Sequence, residues 1–558
     1  MIKKIIILTV LIVIAIIARS DTRALTVAVL GRIPKGMAIK IAQGLTVVHG
    51  ISPIAIDHRN GRYRSAFEHL KLDGERQGVA DSNAIAISQI GERYLGANNT
   101  GSYGTLMGYS VAMGGDVDGR PGYEVVAGGY EYSDRFEERG IVLLLSAGRD
   151  PVKIYGPRQH RAWFGHSVAN NGDFDGDGLA DVLVGARFAN NRAGAAYLVP
   201  SATLSHSADS LEVDTAAGVI EFVVDRAEAE LGFEVYFGAD WDGDARDELV
   251  LRAHVDGVQS GGVFVVYSSQ VQGNRVELGR GAASIQIGIG EDYADFGRTI
   301  STIGDIDGDG ADELLLGAQA ASRFFAAGHY VPSRFYVVMS RDLARRKAIE
   351  RGQILQVAEA EEGEHMGSCV GRLGDMDGDG VADFAIGARY GRGRRGVLHI
   401  VSGARLLDRA APGKQVPVAD MVLITLLGER VDDVLGWSCA EATADIDGDG
   451  IGEVVVGARG ADGLVAGAGA VYIVKGRKIR QAINEGRQEL QMSGETVLKI
   501  GGDRHGARLG SKRRFAAAGD FDGDGVPDLA VGTPGWHEGG IYAGAVWVMD
   551  GARLRQLF

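Results

Sequence analysis

A nine-residue run recurs seven times in this sequence with carboxylates at nearly every odd place. The copies are DVDGRPGYE from Asp116, DFDGDGLAD from Asp173, DWDGDARDE from Asp240, DIDGDGADE from Asp305, DMDGDGVAD from Asp375, DIDGDGIGE from Asp445 and DFDGDGVPD from Asp520. Carboxylates one, three and five converge on a point where the intervening glycines let the backbone curl tightly; the seventh residue then offers its carbonyl and the ninth closes the cage. Six or more hard oxygens suit Ca2+, whereas Mg2+ demands a stricter octahedron and zinc takes His or Cys. The candidate ligands are Asp173, Asp175, Asp177, Leu179 and Asp181 in one loop and Asp240, Asp242, Asp244, Arg246 and Glu248 in the next. Then come Asp305, Asp307, Asp309, Ala311 and Glu313, followed by Asp375, Asp377, Asp379, Val381 and Asp383. Asp445, Asp447, Asp449, Ile451 and Glu453, and Asp520, Asp522, Asp524, Val526 and Asp528, complete the set, the seventh residue serving each time through its main chain. In the first copy Arg120 stands where the fifth carboxylate belongs, so about six Ca2+ ions are expected, with Arg120 bridging Asp116, Asp118 and Glu124 in place of a metal.

Two rival readings of these loops fail. An EF-hand needs a bidentate Glu at its twelfth place and helices on both sides. The twelfth residues here are Ala127, Val184, Leu251, Leu316, Ile386, Val456 and Val531, all apolar and all in β-rich runs. Metal-free solvated turns give no reason for the odd places to repeat. More than a third of the 73 acidic residues lie in the loops, so the formal charge of −15 is largely local to them and is no argument for a basic partner.

The elements around the loops repeat too. The starts are 57, 67, 65, 70, 70 and 75 residues apart. An apolar-Gly pair precedes each, as in Phe164-Gly165 and Leu435-Gly436, and a β run such as VLVGAR or LAVGTP follows at once. Two more β runs complete the unit, of the kinds GVLHIVSG and MVLITLLG. Four short strands in hairpin order describe a propeller blade, and the strand must follow the loop directly because the ninth ligand is its first residue.

With those motifs the chain, over about residues 83 to 551, resembles the FG-GAP propeller of integrin alpha subunits and its bacterial relatives. The resemblance implies an all-β fold: a seven-bladed β-propeller of four-stranded antiparallel blades with metal loops on one face and the turns after the second and fourth strands on the opposite, ligand-recognising face. The pattern departs in one respect: the proline of the third motif residue survives only in Gly532-Thr533-Pro534, and Gly-Ala-Arg stands at Gly185, Gly387 and Gly457. Arg187, Arg389 and Arg459 are then expected near the channel on the recognition face. The function implied is an exported, non-catalytic binding or adhesion module for a protein partner, with a glycan-binding propeller as the alternative and an exported hydrolase or lyase third. The five tryptophans occupy differing repeat places, which counts against the glycan reading.

The ring is expected to close by strand exchange, with Asn83 to Ile90 pairing Ala545 to Met549, because the last repeat holds only three strands. Residues 1–20 read as a signal peptide or membrane anchor, with Lys3 and Lys4 before an apolar run too short for a comfortable span, which places the protein outside the cell or in the periplasm or envelope. Any membrane tether would be through this N-terminus. Residues 21–82 form an extension outside the repeat, and 83–558 the propeller. The two cysteines, Cys369 and Cys439, are expected to be free, on inner strands of adjacent blades that diverge too far to be bridged. GHSVA around Ser167 is no nucleophile elbow, the histidines have no metalloprotease spacing, and no phosphate cradle or nucleic-acid-binding motif is present. The basic runs RDLARRKAIERG and GRKIRQAINEGRQ read as short rim helices. Glycine, at 84 residues against 11 prolines, means many tight turns and no collagen repeat.

Overall fold

The computed structural model describes residues 84–558 apart from 97–103, 206–208, 257–259, 281–283, 289–293, 321–332, 346–348, 359–362, 441–443, 495–496, 511–515 and 539–541. The expected signal peptide and extension lie outside the described residues. Seven small sheets follow one another along the chain, each built from four antiparallel strands. In the second, Phe164–Ala169, Val182–Ala186, Ala195–Val199 and Ile220–Val223 run from the inner to the outer edge. The third, fourth, fifth and sixth blades repeat this order from Val235, Ala294, Met366 and Leu435. This is the seven-bladed propeller the repeat implies. Its core is divided into layers that each join two neighbouring blades, as where Val126, Val142 and Ile154 meet Phe164, Val184 and Tyr197.

Two glycines in each blade but the third set the blade spacing. The glycine of the apolar-Gly pair has positive φ, +83° at Gly165 and +72° at Gly436, a conformation costly for other residues. The glycine of the second strand lies against the next blade: a Cβ on Gly185 would stand 2.1 Å from the Gly232 carbonyl, and one on Gly387 2.2 Å from that of Gly436. That close approach overturns the expectation for the cysteines. Cys369 and Cys439 form a disulfide between blades five and six, with their Cα atoms 5.7 Å apart. The inner strands do not diverge here, because glycines remove the side chains that would hold the blades apart, and Ser368 Oγ donates to the Gly436 carbonyl at 2.5 Å across the same seam.

Ring closure is of the expected kind but uses other residues. Gly91–Leu95, not Asn83 to Ile90, pairs antiparallel with Ala545–Met549 to complete blade seven. Ile85–Ala86 instead lies parallel on Val497–Gly501 at the outer edge of blade six. The displaced segment follows a rule absent from the sequence reading: the segment preceding the fourth strand of a blade is lent to the outer edge of the blade before it. Ser210–Glu212 lies on Val152–Tyr155, Arg275–Glu277 on Ile220–Val223, and Ile349–Glu350 on Ser284–Gly288. Gln415–Pro417 covers Leu355–Ala358, and Glu489–Gln491 covers Val422–Leu427. Six blades thus have a parallel fifth strand over an edge that would otherwise be open. The basic run GRKIRQAINEGRQ forms a helix as expected, Gly476–Asn484, whereas RDLARRKAIERG is helical only at its start, in Ser340–Leu343, and carries the strand Ile349–Glu350 and a 3-10 turn at Arg351–Gln353.

Candidate functional site

The nine-residue loops join the first and second strands of each blade. In each, the carboxylate at the first place curls the loop by accepting main-chain N–H groups, as Asp173 does from Gly176 at 2.7 Å and Gly178 at 2.8 Å. The ninth carboxylate ties the end of the loop to its start. Glu248 accepts from the Trp241 N–H at 2.6 Å, Glu453 from Ile446 at 2.6 Å, and Asp181 from Phe174 at 3.0 Å. Asp383 and Asp528 are the first residues of their strands as expected, while in the other loops the strand begins one residue later.

Ligand oxygens of Asp240, Asp242, Asp244 and Glu248 lie within 4.8 Å of one another, as do those of Asp305, Asp307, Asp309 and Glu313. Asp173, Asp175 and Asp181 converge likewise, and so do Asp375, Asp377 and Asp383. Asp177 and Asp379 stand outside those two groups; Asp177 takes the Ser201 hydroxyl at 2.6 Å, as Asp244 takes Ser268 at 3.0 Å and Asp309 takes Ser340 at 2.5 Å. The loops from Asp445 and Asp520 fold with the same turns, Gly448 and Gly523 donating to the first carboxylate at 2.7 and 2.8 Å. Residues seven each donate N–H to the fifth carboxylate: Leu179 at 2.9 Å, Arg246 at 3.0 Å, Ala311 at 3.1 Å, Val381 at 2.9 Å, Ile451 at 3.0 Å and Val526 at 2.7 Å.

Burial, together with the neighbouring loop carboxylates, pushes the ninth acid up to about 7 in Asp181, Glu313, Asp383 and Glu453, to about 8 in Glu248 and to about 6 in Asp528. One oxygen of Glu248 and one of Glu453 are buried with no hydrogen-bond partner. Orphaned acceptors inside a cluster of hard oxygens fit a cation such as Ca2+.

The first loop corrects one expectation. Asp116, Asp118 and Glu124 converge as in the other loops, and Arg120 does not bridge them. Its side chain is 59% exposed and only its Nε approaches Asp118, at 4.0 Å, while Arg149 holds Asp118 at 2.9 Å. A guanidinium on this short loop gains more hydration by turning outward than by replacing the metal.

On the opposite face the three Gly-Ala-Arg arginines stack on rings. Arg187 lies 4.5 Å from both Phe188 and Phe233 and pairs with Glu230, and Trp437 is flanked by Arg389 at 4.6 Å and Arg459 at 4.9 Å. Sequence reasoning passed over Arg252, which stands in blade three at the register place held by Gly128, Gly185, Gly317, Gly387, Gly457 and Gly532 in the others. It is fully buried, donates to the Phe296 carbonyl at 3.2 Å, pairs with Asp295 and lies 4.3 Å from the Phe233 ring. Burial alone would raise Asp295, but Arg252 and Arg298 outweigh it and hold the carboxyl well below its usual range. LVLRAH in place of VLVGAR was the signal that could have found it.

The FG-GAP repeat family matches residues 164–199 and 514–549, the first three strands of blades two and seven with their loops, and 440–474, the loop and the second and third strands of blade six. Integrin alpha-4 of Xenopus laevis is 27% identical over 233 residues, covering 40% of this chain and 21% of that protein. Integrin alpha-PS2 of Drosophila melanogaster is 28% identical over 257 residues, 45% of this chain and 16% of the relative. Phosphatidylinositol-glycan-specific phospholipase D of Bos taurus is 38% identical over 126 residues, 22% of this chain and 14% of the relative. The chain thus spans about a fifth or less of the length of these relatives. With the FG-GAP repeat matched in three blades, the same loop and strand order in all seven and the second-strand glycine in six of them, the chain carries FG-GAP repeats on a seven-bladed β-propeller and is similar in sequence to integrin alpha subunits.

Proposed function

We propose that the protein is an exported, calcium-stabilised, non-catalytic binding module whose partner is a protein, secreted or held in the cell envelope. The observation that carries this reading is the set of carboxylate cages repeated around the ring, whose buried, partnerless oxygens in Glu248 and Glu453 call for a hard cation. About six Ca2+ ions would be held by the loops from Asp173 to Asp520, each stapling the first hairpin of its blade by cancelling the repulsion among its acids. The inter-blade disulfide supports export, since such bonds persist in oxidising compartments. The likeness to integrin alpha subunits supports binding rather than catalysis. With the loops committed to structure, the opposite face remains for recognition. Its stacked Arg389, Trp437 and Arg459 are residue types that dominate binding energy at protein interfaces.

The test pairs capture from envelope extract with a glycan array, using the wild type and Trp437→Ala in calcium. A defined protein retained by the wild type and lost by the variant is the expected result. A glycan bound with no protein would replace this reading with the lectin-like one, and turnover of a bound molecule would replace it with an enzyme.

A further inference from the structure

The protein itself shows what the outer edge of a blade accepts. In the covered blades one aliphatic side chain of the lent segment sits opposite one apolar residue of the fourth strand, as Leu211 opposite Ile154, Val276 opposite Phe222 and Val416 opposite Val357. Each of those fourth-strand residues is 0% exposed. The main chain holds the segment on both sides of this pair. Lys153 N–H donates to the Asp209 carbonyl at 3.0 Å and Val213 N–H to the Tyr155 carbonyl at 3.2 Å. The Arg275–Glu277 segment is held by the equivalent bonds, Glu221 to Asn274 at 2.9 Å and Leu278 to Val223 at 2.8 Å.

Blade seven has the same edge, and among the described residues no segment lies on it. Tyr94 pairs with Val546 and so takes the register place of Ile154, yet it is only half-buried, and no residue of Gly91–Leu95 is fully buried. Gly96 N–H donates inward to the Gly544 carbonyl at 3.0 Å, so the alternation of an antiparallel ladder turns the Arg93 N–H and the Leu95 carbonyl outward, in the places of Lys153 and Tyr155. Among the described residues no strand pairs with them. The reason lies in blade one, which should lend the segment. Its third strand ends at Leu145 and its fourth begins at Val152, leaving a connection too short to reach back.

We propose that this edge binds an extended segment of a partner protein, added in parallel as a fifth strand, with one aliphatic residue between polar neighbours. That chemistry is read from the segments already in place, Ser-Leu-Glu, Arg-Val-Glu and Glu-Leu-Gln. A second copy of the chain fits less well, because two identical edges meeting about a two-fold axis perpendicular to the sheet run antiparallel, whereas every lent segment is parallel. The site uses strand addition, in which the main chain supplies affinity and the alternate side chains supply specificity. It is separate from the metal loops and from the arginine-bearing face.

The experiment is amide hydrogen exchange on the full chain in calcium, with a synthetic peptide copying Asn274–Leu278 as the probe and the Lys153 amide as the covered reference. The Arg93 amide is expected to exchange much faster than that of Lys153 in the free protein. It should slow about tenfold once the edge is nine-tenths occupied by peptide, and a peptide with proline in place of the central valine should have no effect. The proposal is overturned if Arg93 is already as protected as Lys153, if millimolar peptide changes nothing, or if the proline peptide protects equally. Protection of Arg93 that grows with protein concentration alone would assign the edge to self-association instead.

Discussion

Cys369 and Cys439, 70 residues apart on the innermost strands of successive blades, are bonded across the seam where Gly387 meets the backbone of Gly436. The bond closes a loop one whole repeat long and ties two blades that otherwise meet through side-chain packing and a few hydrogen bonds. Closing a loop of that length stabilises by about 4 kcal/mol in the chain-entropy account. Replacing both cysteines by serine is expected to lower the denaturant midpoint accordingly, and thiol titration of the unfolded, unreduced protein should find no free thiol. Two free thiols would remove the bond.

Calcium removal should expose the cost of the loops. With the ions gone, the crowded carboxylates repel one another, so chelation is expected to lower the melting temperature and elemental analysis of the untreated protein to give six ions per chain. Arg120→Asp restores the fifth carboxylate of the first loop, whose other acids already converge, and should raise the count to seven. Seven ions in the wild type would show that the outward turn of Arg120 leaves that cage able to hold a metal.

Arg252 cannot be removed as cheaply as a surface arginine. Arg252→Met leaves Asp295 buried with one cation fewer and should destabilise by about 3 kcal/mol or more, while Arg298→Met, at a side chain 31% exposed, should cost under about 1 kcal/mol. Urea midpoints in saturating calcium measure both, and equal costs would mean that Arg252 is not the residue holding this seam.

His365 gives a pH dependence of known sign. Burial, with the Arg389 and Arg298 guanidinia beside it, lowers it to about 3; Arg389 Nη2 lies 3.2 Å from its Nδ1, the Tyr390 ring centroid is 4.7 Å away, and Glu364 pairs with His399 alongside. The folded state therefore keeps it neutral where the unfolded chain protonates it. Its contribution is fully present above pH 6.5 and is lost as the pH falls toward 3. Between pH 7.5 and 5.5 the wild type should lose about 1.4 kcal/mol more than His365→Asn, read from urea midpoints in saturating calcium. Equal losses would sink the assignment.

The repeat, and with it the propeller, is legible along the chain. Seven copies of an acidic loop followed at once by an apolar β run leave few other ways to bury that run, and the spacing of Asp240, Asp242, Asp244 and Glu248 is already a list of converging ligands, because a nine-residue turn is a local structure. The contacts between blades emerge only in three dimensions. The Cys369–Cys439 bond depends on how closely glycines far apart in sequence let two backbones approach. The place of Ile85–Ala86 depends on which neighbouring edge lies within reach of a connection, and the edge at Gly91–Leu95, uncovered among the described residues, on a connection in blade one that is too short. Arg252 was visible as a break in the pattern, but its partners, Asp295 and Phe233, belong to other strands. Local chemistry is written along the chain, whereas seams between blades are set by distances in space that sequence separation does not encode.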